Sequence, residues 1–320
     1  MEKKINIGKT DLKMSPFVLG GNVFGWTADA RTSYKILDQF TGKGFEHIDT
    51  ANSYSHWAEG NVGGESEEII GNWLKKRGKR NDVIIATKVG GQLPDREYGL
   101  KAELIRQEVE MSLKRLQTDY IDLYYTHFDD LDTPIEETIA TYSDLIKEGK
   151  IRYIATSNMS PDRIMESIEY SRNHDLPEYI ALQPEYNLYK RKDYEQDFQA
   201  LATEQNLAVM PYFTLAAGFL TAKYKTVVEM RQSARAAHLD GFANERGDRI
   251  LKALTTIANE YNATEAQIAL AWLLSNPSIT APIASVSKPK QLDILKCIDI
   301  ELSQEAKTLL NEASAYDNML

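Results

Sequence analysis

Polar residues that could exchange protons stand where short apolar segments of this chain end. Asp49, Lys88 and His127 each close such a segment, and Tyr54 follows Asp49 by five positions. Short apolar runs bounded by polar residues are typical of buried strands. If the strands are parallel, a carboxylate, an ammonium, a phenol and an imidazole meet in one pocket and can move protons. This combination indicates redox or acid–base chemistry on a carbonyl group.

Each of these residues taken alone has a commoner structural interpretation. An aspartate can cap a helix or turn, one tyrosine among 17 can pack at the surface, and a strand-end lysine is usually solvated. A histidine at such a position is more often an ordinary core or loop residue. A metal site is another interpretation, with four candidate ligands: His47, Asp49, His56 and His127. Their spacing matches no standard ligand motif, so no metal is expected.

The elements that must position these residues alternate regularly along the chain. After a predicted N-terminal β-hairpin (5–7 with 12–14), the apolar periodicity predicts strands at 17–20, 45–49, 83–88, 121–127, 151–157, 180–184, 208–213 and 280–284. Amphipathic helices are predicted between them, at 30–41, 66–77, 102–116, 134–148, 161–174, 194–205, 248–260 and 264–275, with a further segment at 289–297. Thr133 and Ser160 each precede a proline as N-caps do, and Gly149 suits a left-handed C-cap.

Strict alternation of strands and helices implies parallel strands with right-handed crossovers. Eight such units in 320 residues fit the α/β class and a closed (β/α)8 TIM barrel. A doubly wound open sheet is the alternative, but residues 20–25 only loosely resemble the glycine-rich turn of that fold. No linker or composition shift divides the chain. We therefore predict that residues 1–320 form a single barrel domain with an N-terminal hairpin and C-terminal extra helices.

Composition and charge limit the partners of the chain. Hydrophobic residues make up 42% and charged residues 26%, as in soluble globular proteins, and the formal net charge is −10. An acidic chain argues against nucleic acid or an anionic membrane as the main partner, and a phosphate-bearing ligand needs a local basic pocket. The single cysteine, Cys297, lies in an apolar run that predicts burial. With no signal segment or membrane span recognised, a cytoplasmic protein is expected.

An ordered set of motifs resembles the signature segments of the aldo-keto reductase superfamily. Residues 47–54, His-Ile-Asp-Thr-Ala-Asn-Ser-Tyr, resemble its Asp-Thr-Ala-x-x-Tyr signature, which residues 64–71 continue. Residues 85–88 resemble its lysine motif, and residues 119–127 resemble its histidine motif. Residues 149–158 are similar to its Gly-x-Ile-Arg-x-x-Gly-x-Ser-Asn segment, followed by the landmarks Gln183 and Tyr186-Asn187-Leu188. The resemblance covers nearly the whole chain, from about residue 5 onward.

The resemblance implies a barrel enzyme that reduces an aldehyde or ketone with NADPH, without a metal or a flavin. In that family pattern Tyr54 is the general acid, and Lys88 lowers the phenol pKa from its ordinary value of about 10. Asp49 holds Lys88 charged and oriented. His127 hydrogen-bonds and orients the substrate oxygen. The expected partner is a small-molecule carbonyl compound, with sugar-like and dicarbonyl compounds as candidates.

The resemblance also implies a set of cofactor-binding residues. Ser157, Asn158 and Gln183 bind the nicotinamide carboxamide, and Tyr212 stacks on the ring unless it is ordinary barrel packing. A helix start with hydroxyls and cations suits the adenosine 2′-phosphate. The remaining candidates follow the last two strands: Phe213, Leu215, Gly218, Arg235, Ser285, Ser287, Lys288 and Gln291. Residues 212–215 depart from the aromatic-Ser-Pro-Leu pattern of many relatives, so the preference for NADPH over NADH is an expectation to be measured.

Substrate contacts are expected from loops at the mouth of the barrel, at 21–28, 55–64 and 90–100. The pocket candidates are aromatic: Phe24, Trp26, Trp57, Phe128 and Tyr186. Trp26 and Trp57 could hold an apolar or sugar-like substrate, or pack on each other. The long segment 222–248 is interpreted as a cofactor-covering lid or as a surface loop.

Two other functions stay open at this point. Barrels of this family also serve as regulatory partners of potassium channels, binding the nicotinamide cofactor with little turnover. A Schiff-base aldolase that uses Lys88 is the other alternative, because barrel aldolases place a lysine at a strand end. Turnover on a panel of carbonyl compounds separates the first alternative, and borohydride trapping on Lys88 separates the second.

Overall fold

Short parallel strands, each hydrogen-bonded to the next, form the centre of the protein. The computed structural model describes residues 4–93, 97–224, 226–239 and 241–316. An antiparallel hairpin, β1 (Ile5–Asn6) with β2 (Lys13–Met14), precedes the main sheet. The eight strands of that sheet are β3 (Val18–Gly20), β4 (His47–Asp49), β5 (Ile84–Val89), β6 (Ile121–Thr126), β7 (Ile151–Ser157), β8 (Tyr179–Gln183), β9 (Ala208–Val209) and β10 (Ile283–Ala284).

Backbone hydrogen bonds close this sheet on itself. The N–H of Thr280 donates to the carbonyl of Val209 at 2.9 Å, and the N–H of Ile283 donates to Pro211 at 3.0 Å. The segment leading into β10 is thereby joined to β9, while β10 itself pairs with β3. The predicted (β/α)8 barrel is confirmed.

Helices surround the barrel and follow the strands in the predicted order. They are α1 (Ala30–Gly42), α2 (Glu65–Arg77), α3 (Ala102–Leu116), α4 (Ile135–Lys147), α5 (Pro161–Asn173), α6 (Gln199–Glu204), α7 (Val227–Arg231), α8 (Glu245–Glu260), α9 (Glu265–Leu274) and α10 (Gln304–Ala313). A π-helical stretch, Tyr194–Phe198, leads into α6. Shorter 3-10 helices occupy Ala216–Thr221 and Ala236–His238, and a longer one occupies Pro289–Asp299.

Two of the three predicted helix caps are confirmed, and the third is wrong. Ser160 caps α5, since its hydroxyl accepts from the N–H of Arg163 at 3.3 Å. Gly149 follows α4 with φ +75°, the left-handed conformation expected after a helix end. The Thr133 cap is wrong, because that hydroxyl donates instead to Asp130 at 2.6 Å and α4 has no side-chain cap.

Side chains along each strand alternate between the barrel interior and the surrounding helices, as the two-residue period of a strand requires. The apolar residues inside the barrel form their own cluster: Ile7, Met14, Val18, Ile84, Ala86, Leu123, Tyr125, Ala155, Ala181, Ala208, Met210, Ala281 and Ile283. Met14 and Ile7 belong to the hairpin region and fill the end of the barrel where the strands begin. The same alternation turns Lys88, two positions after Ala86, inward at the opposite end.

Strand β9 is shorter than the predicted 208–213. Pro211 has no N–H to give to a strand ladder, and beyond it a single bridge joins Tyr212 to Glu185. Phe213, Ala216 and Ala217 then adopt positive φ values of 49°, 47° and 54°, which take the chain out of the sheet. Nowhere in the described ranges is a helix both long and apolar enough for a bilayer crossing.

Candidate active site

A buried ion pair stands where β4 and β5 end. The Nζ atom of Lys88 lies 2.8 Å and 2.7 Å from the two carboxylate oxygens of Asp49, and 2.7 Å from the carbonyl of Thr50. The side chains of Lys88 and Asp49 are 0% and 2% exposed. Asp49 pairs with Ala86 on β5, so Lys88 stands two residues further along that strand on the same inward face, and its long side chain reaches the Asp49 carboxylate.

The hydroxyl of Tyr54 joins this pair. It lies 2.9 Å from the Lys88 Nζ, which donates to it, and 3.3 Å from Asp49 Oδ2, to which it donates. A turn after β4 directs the Tyr54 side chain over the barrel. In this turn the N–H of Tyr54 donates to the Ala51 carbonyl, and the N–H of Asn52 donates to the Lys88 carbonyl. The phenol oxygen is therefore in direct contact with both members of the ion pair.

The pKa of Tyr54 moves in the direction opposite to the expectation. Burial, and then the charge of Asp49 together with the hydrogen bond to it, raise the pKa of the Tyr54 phenol well above 10. Burial also lowers the pKa of Lys88, although the contacts with Asp49 oppose that lowering. The expected depression of the Tyr54 pKa is wrong for this structure, because desolvation penalises the phenolate. At neutral pH the phenol keeps its proton.

His127 lies beside the phenol. Its ring centroid is 5.9 Å from that of Tyr54, and its backbone is held by the Val89 carbonyl and by the side-chain amide of Asn158. Its Nδ1 atom is buried and has no hydrogen-bond partner in the described part of the chain. Burial, and then the charge of Lys88, lower the His127 pKa well below 6.5, so the ring is neutral at physiological pH. One ring nitrogen of a neutral imidazole carries a hydrogen, so His127 can donate a hydrogen bond to an oxygen atom of a ligand.

Two further side chains support the ion pair from inside the barrel. The Nε2 of Gln183 donates to Asp49 Oδ1 at 3.0 Å, which adds a neutral donor to the carboxylate. Tyr125, two residues before His127, faces the barrel interior. The Lys88 Nζ lies 5.7 Å from the centroid of its ring. Burial, and then the Asp49 charge, raise the Tyr125 pKa, while a hydrogen bond with Gln183 opposes this. Sequence reasoning missed Tyr125, although its inward parity with His127 was a usable signal.

Amide and hydroxyl groups lie next to this cluster where β7 and β8 end. The hydroxyl of Ser157 donates to the Gln183 carbonyl at 2.8 Å, and the amide of Asn158 donates to Ser157 Oγ at 3.0 Å. The hydroxyl of Tyr212 donates to Asn158 Oδ1 at 3.0 Å, which places its ring beside both. Asn158 adopts φ +49°, a conformation that asparagine tolerates better than most residues. Donors, acceptors and an aromatic ring in this grouping fit a planar ring that carries a carboxamide.

The candidates that follow the last two strands continue the same edge of the mouth. Ser285 donates to Asn22 at 2.5 Å. The side-chain oxygen of Gln291 accepts from the backbone N–H groups of Ser287 and Lys288, both at 2.9 Å, and so caps the 3-10 helix that starts at Pro289. Gln291 thus has a structural contact here, whereas the Lys288 ammonium has no ion pair in the described ranges.

The remaining cofactor candidates lie in the segment after β9. Phe213 packs against His238 with 5.3 Å between tilted rings, while Leu215 is partly buried against the core. Gly218 has φ +94°, and a Cβ there would lie 2.9 Å from Lys223 Nζ. The guanidinium of Arg235 lies 5.7 Å from the Trp26 ring centroid, and burial lowers its pKa. The predicted lid 222–248 includes residues 225 and 240, which lie outside the described residues.

Aromatic rings extend outward from Tyr54 and His127. Trp57 packs against both Trp26 and Tyr54, at centroid distances of 5.7 Å and 6.1 Å, and Phe128 packs against His127 at 4.7 Å. Trp57 is 44% exposed and Phe128 is 47% exposed, so both present apolar surface beside the candidate acid. The predicted loop 90–100 includes residues 94–96, which lie outside the described residues.

The other two pocket candidates, Phe24 and Tyr186, are buried side chains. Phe24 is fully buried in the main hydrophobic core. Tyr186 is 1% exposed, donates to Glu195 at 2.8 Å, and packs against Tyr194 and Trp272. Both side chains therefore belong to the packed layer between the barrel and its helices and present no apolar surface as Trp57 and Phe128 do.

Comparison with protein families gives a match along nearly the whole chain. A model described as the aldo/keto reductase family matches residues 16–315. The match starts just before β3 and ends just after α10, so it contains the entire barrel and every residue of the cluster around Lys88.

Individual relatives are similar over almost their full lengths. An uncharacterized oxidoreductase, YrpG, of Bacillus subtilis (strain 168) is 32% identical over 96% of this chain and 94% of its own. A probable voltage-gated potassium channel subunit beta of Arabidopsis thaliana is 33% identical over 92% and 90%. An aryl-alcohol dehydrogenase [NADP(+)] of Phanerodontia chrysosporium is 29% identical over 96% and 84%.

Proposed function

The chain belongs to the aldo/keto reductase family, an oxidoreductase family of carbonyl chemistry, and from that premise we propose that it reduces an aldehyde or ketone to the alcohol with NADPH, using Tyr54 as the general acid. The observation that carries the proposal is the contact of the Tyr54 hydroxyl with Lys88 Nζ, at 2.9 Å in a buried site. Protonation of the carbonyl oxygen is the step that this contact can assist.

Tyr54 enters the reaction with its proton in place. A phenol whose pKa lies above 10 is fully protonated at neutral pH, so the acid is loaded in every molecule. The proton leaves as negative charge builds on the substrate oxygen, and the phenolate that remains faces the Lys88 ammonium. Two opposite charges about 3 Å apart attract by about 5 kcal/mol at an effective dielectric constant of about 20. Lys88 therefore acts on the phenolate as it forms rather than on the resting phenol.

Asp49 and His127 assist in different ways. Asp49 accepts two hydrogen bonds from Lys88 and one from Gln183, which orients the ammonium towards the phenol. Its negative charge also disfavours phenolate, so the proton returns readily to Tyr54 after turnover. His127, neutral because of its lowered pKa, donates a hydrogen bond to the substrate oxygen and aims it at the phenol.

The cofactor-binding residues lie along the edge from β7 to β10. Ser157, Asn158 and Gln183 would hold the carboxamide, with Tyr212 against the ring, and Lys288 with Ser287 would hold the 2′-phosphate. When bound, NADPH supplies the hydride that reduces the carbonyl carbon. Phe213, Leu215, Gly218, Arg235, Ser285 and Gln291 complete the proposed cofactor contacts.

The exposed rings beside the acid favour substrates with an apolar part. Trp57 and Phe128 flank Tyr54 and His127, so a carbonyl group placed at the acid has its substituents against these rings. Sugar-like and dicarbonyl compounds remain candidates to be compared with apolar aldehydes in one panel. The relative named aryl-alcohol dehydrogenase supports including aromatic aldehydes in that panel.

Replacement of the acid tests the proposal. Tyr54→Phe should lower kcat for carbonyl reduction by about 100- to 10,000-fold, the range of general acid catalysis, and leave the Kd for NADPH unchanged. The measurements are NADPH absorbance during turnover and fluorescence titration of the cofactor. Tyr124→Phe is the matched control, because the Tyr124 hydroxyl is buried on the outer face of β6 without a hydrogen-bond partner in the described ranges. Full activity of Tyr54→Phe would reject the role of Tyr54.

A regulatory function is the second candidate, favoured by the similarity to the potassium channel subunit beta. In that case the chain binds NADPH at the same edge and acts mainly by reporting cofactor state to a partner. Turnover across the carbonyl panel discriminates the two functions, because a regulatory subunit would bind NADPH tightly and oxidise it only very slowly.

A further inference from the structure

The first turn of α2 contacts the residues that flank the ion pair. Ser66 accepts a hydrogen bond from the Thr50 hydroxyl at 2.8 Å, and Glu67 accepts one from the Thr87 hydroxyl at 2.5 Å. Thr50 follows Asp49 in the chain, and Thr87 precedes Lys88. Two consecutive helical residues therefore hold, from outside the barrel, the two strand ends whose neighbouring side chains meet inside it.

Glu67 is a buried charge whose partner comes from the next helix. Its side chain is 0% exposed, and its second oxygen accepts from Arg115 Nε of α3 at 2.6 Å. The Arg115 side chain is 11% exposed and also reaches the Ser112 hydroxyl at 3.3 Å. Burial lowers the Arg115 pKa, but the charge of Glu67, the hydrogen bond to it and the charge of Glu108 act together against burial, and the pKa is raised above its usual range. The two charges therefore pair in a largely buried region.

The same arginine extends the network to the loop that carries the acid. Arg115 Nη2 lies 3.9 Å from Glu108, and Glu108 accepts from the side-chain amide of Asn52 at 2.8 Å. Asn52 is 2% exposed and lies between Asp49 and Tyr54, with its backbone N–H on the Lys88 carbonyl. Gly64 leaves the space for this arrangement, because a Cβ there would lie 2.5 Å from Arg115 Cδ.

We propose that Glu67 and Arg115 are positioning residues for the Lys88–Asp49–Tyr54 cluster, holding its two strand ends and its loop in register from the helical layer behind the barrel. The proposal rests on the proposed carbonyl reduction. The links are hydrogen bonds from Thr87 to Glu67 and from Asn52 to Glu108, and ion pairs from Arg115 to both carboxylates. The positions of Lys88, Asp49 and Tyr54 affect the rate strongly, because a displacement of about 1 Å in a catalytic contact can lower it about 100-fold.

The proposal also has an electrostatic consequence. The carboxylate of Glu67 raises the pKa of Lys88, in opposition to the larger effect of burial. Removing that charge while keeping the side-chain shape should lower the Lys88 pKa further. The ammonium would then be lost at a lower pH, and with it the stabilisation of the phenolate.

Three variants test these roles. Glu67→Gln should lower kcat by about 10- to 100-fold with little change in KM, because the substrate contacts stay in place. The alkaline limb of its kcat–pH profile should move to lower pH. Arg115→Lys, which keeps a cation but not the fork that reaches both carboxylates, should lose less activity than Glu67→Gln. Asp122→Asn is the matched control, because Asp122 is an equally buried partner of Arg80, at 2.7 Å, near the start of β6.

Titration of Lys88 gives a measurement that does not depend on turnover. The 13Cε resonance of Lys88, assigned with Lys88→Met, should titrate at lower pH in Glu67→Gln than in wild type and stay unchanged in Asp122→Asn. Unchanged kcat and unchanged titration in Glu67→Gln would overturn the proposal, as would equal shifts in the Asp122→Asn control. If wild type reduces no carbonyl compound, the proposed function fails, and the Lys88 titration still decides whether the network acts on the cluster.

Discussion

Burial of Lys88 with Asp49 has a physical cost at the scale of single residues. Taking each charge out of water costs several kcal/mol, and their mutual attraction with its hydrogen bonds roughly offsets this. The pair therefore adds little to the free energy of unfolding that an apolar pair could not supply. What it adds is a cation in contact with a phenol, which no apolar pair provides, so its advantage is chemical.

A second buried titratable residue lies deeper in the barrel. His47 shares its face of β4 with Asp49, and its Nδ1 lies 3.3 Å from the sulfur of Met14. Burial, and then the charge of Lys88, lower its pKa to about 3. An unfolded histidine has a pKa of about 6.5, so the unfolded chain takes up this proton first. The stabilisation is complete above pH 6.5 and is lost as the pH falls towards 3, at about 1.4 kcal/mol per pH unit.

Replacing His47 should flatten this pH dependence. Between pH 6.5 and 4.5 the free energy of unfolding, measured by urea denaturation, should fall by about 2 kcal/mol more in wild type than in His47→Gln. His174→Gln replaces an exposed histidine and should behave as wild type does. The same slope in wild type and His47→Gln would contradict the assignment.

At the scale of elements, the site depends on how closely α2 and α3 approach. They meet at Gly71, where a Cβ would lie 2.0 Å from the Arg115 carbonyl oxygen and 2.7 Å from the Leu116 carbonyl carbon. These are backbone atoms of the neighbouring helix, so a flexible side chain cannot move aside. The close approach also brings Arg115 within reach of Glu67.

Gly71→Ala should therefore separate the helices. We expect the free energy of unfolding to fall by about 1 to 3 kcal/mol, the usual cost of overpacking, and kcat to fall with it. Gly42→Ala, at the end of α1, is the control, since an added Cβ would meet nothing within 4 Å beyond the adjoining backbone of α1. That change should be neutral or stabilise by up to about 1 kcal/mol. Wild-type stability in Gly71→Ala, measured by urea denaturation, would show that the helices can adjust.

At the scale of the whole molecule, one sheet connects the beginning of the chain to its end. β3 near the N-terminus pairs with β10 near residue 284, and the helices between them share one continuous core. We infer that residues 1–320 form a single domain, a proposal that two separate unfolding transitions would contradict.

The net charge of the chain affects how strongly it can bind a negatively charged cofactor. A chain with a net charge of −10 repels a phosphate-bearing ligand unless cations are placed locally. Lys288 and Arg235, which have no ion pair in the described ranges, are the cations that we propose for this role at the cofactor edge. A charge-assisted hydrogen bond contributes about 1.5 to 3 kcal/mol, enough to favour NADPH over NADH by about 10-fold or more.

Dissociation constants test this preference. Wild type should bind NADPH more tightly than NADH, and Lys288→Gln should weaken NADPH binding about 10-fold with little effect on NADH. Lys296→Gln is the control, because Lys296 lies on the same 3-10 helix but pairs with Asp293 at 2.7 Å. Tighter binding of NADH by wild type would overturn the assignment of NADPH.

The pattern of residues along the chain was sufficient to predict the barrel and the meeting of Asp49, Tyr54, Lys88 and His127. The alternation of side chains along a strand depends only on local spacing. Lys88 is two residues after Ala86, so both side chains face the barrel interior. The Ser160 cap was predictable for the same reason, because its partner Arg163 is three residues away. Thr133 was not, since Asp130 competes for its hydroxyl.

Tertiary structure decided the features that depend on distant residues. The direction of the Tyr54 pKa follows from burial, which is set by the surrounding loops and strands rather than by the motif. The Glu67–Arg115 pair joins positions 48 residues apart, and Gln183 reaches Asp49 across 134. Phe24 and Tyr186 are buried because side chains from distant parts of the chain pack around them between the barrel and its helices. Periodicity determines which way a side chain points, whereas desolvation and long-range contacts exist only once the chain has closed around it.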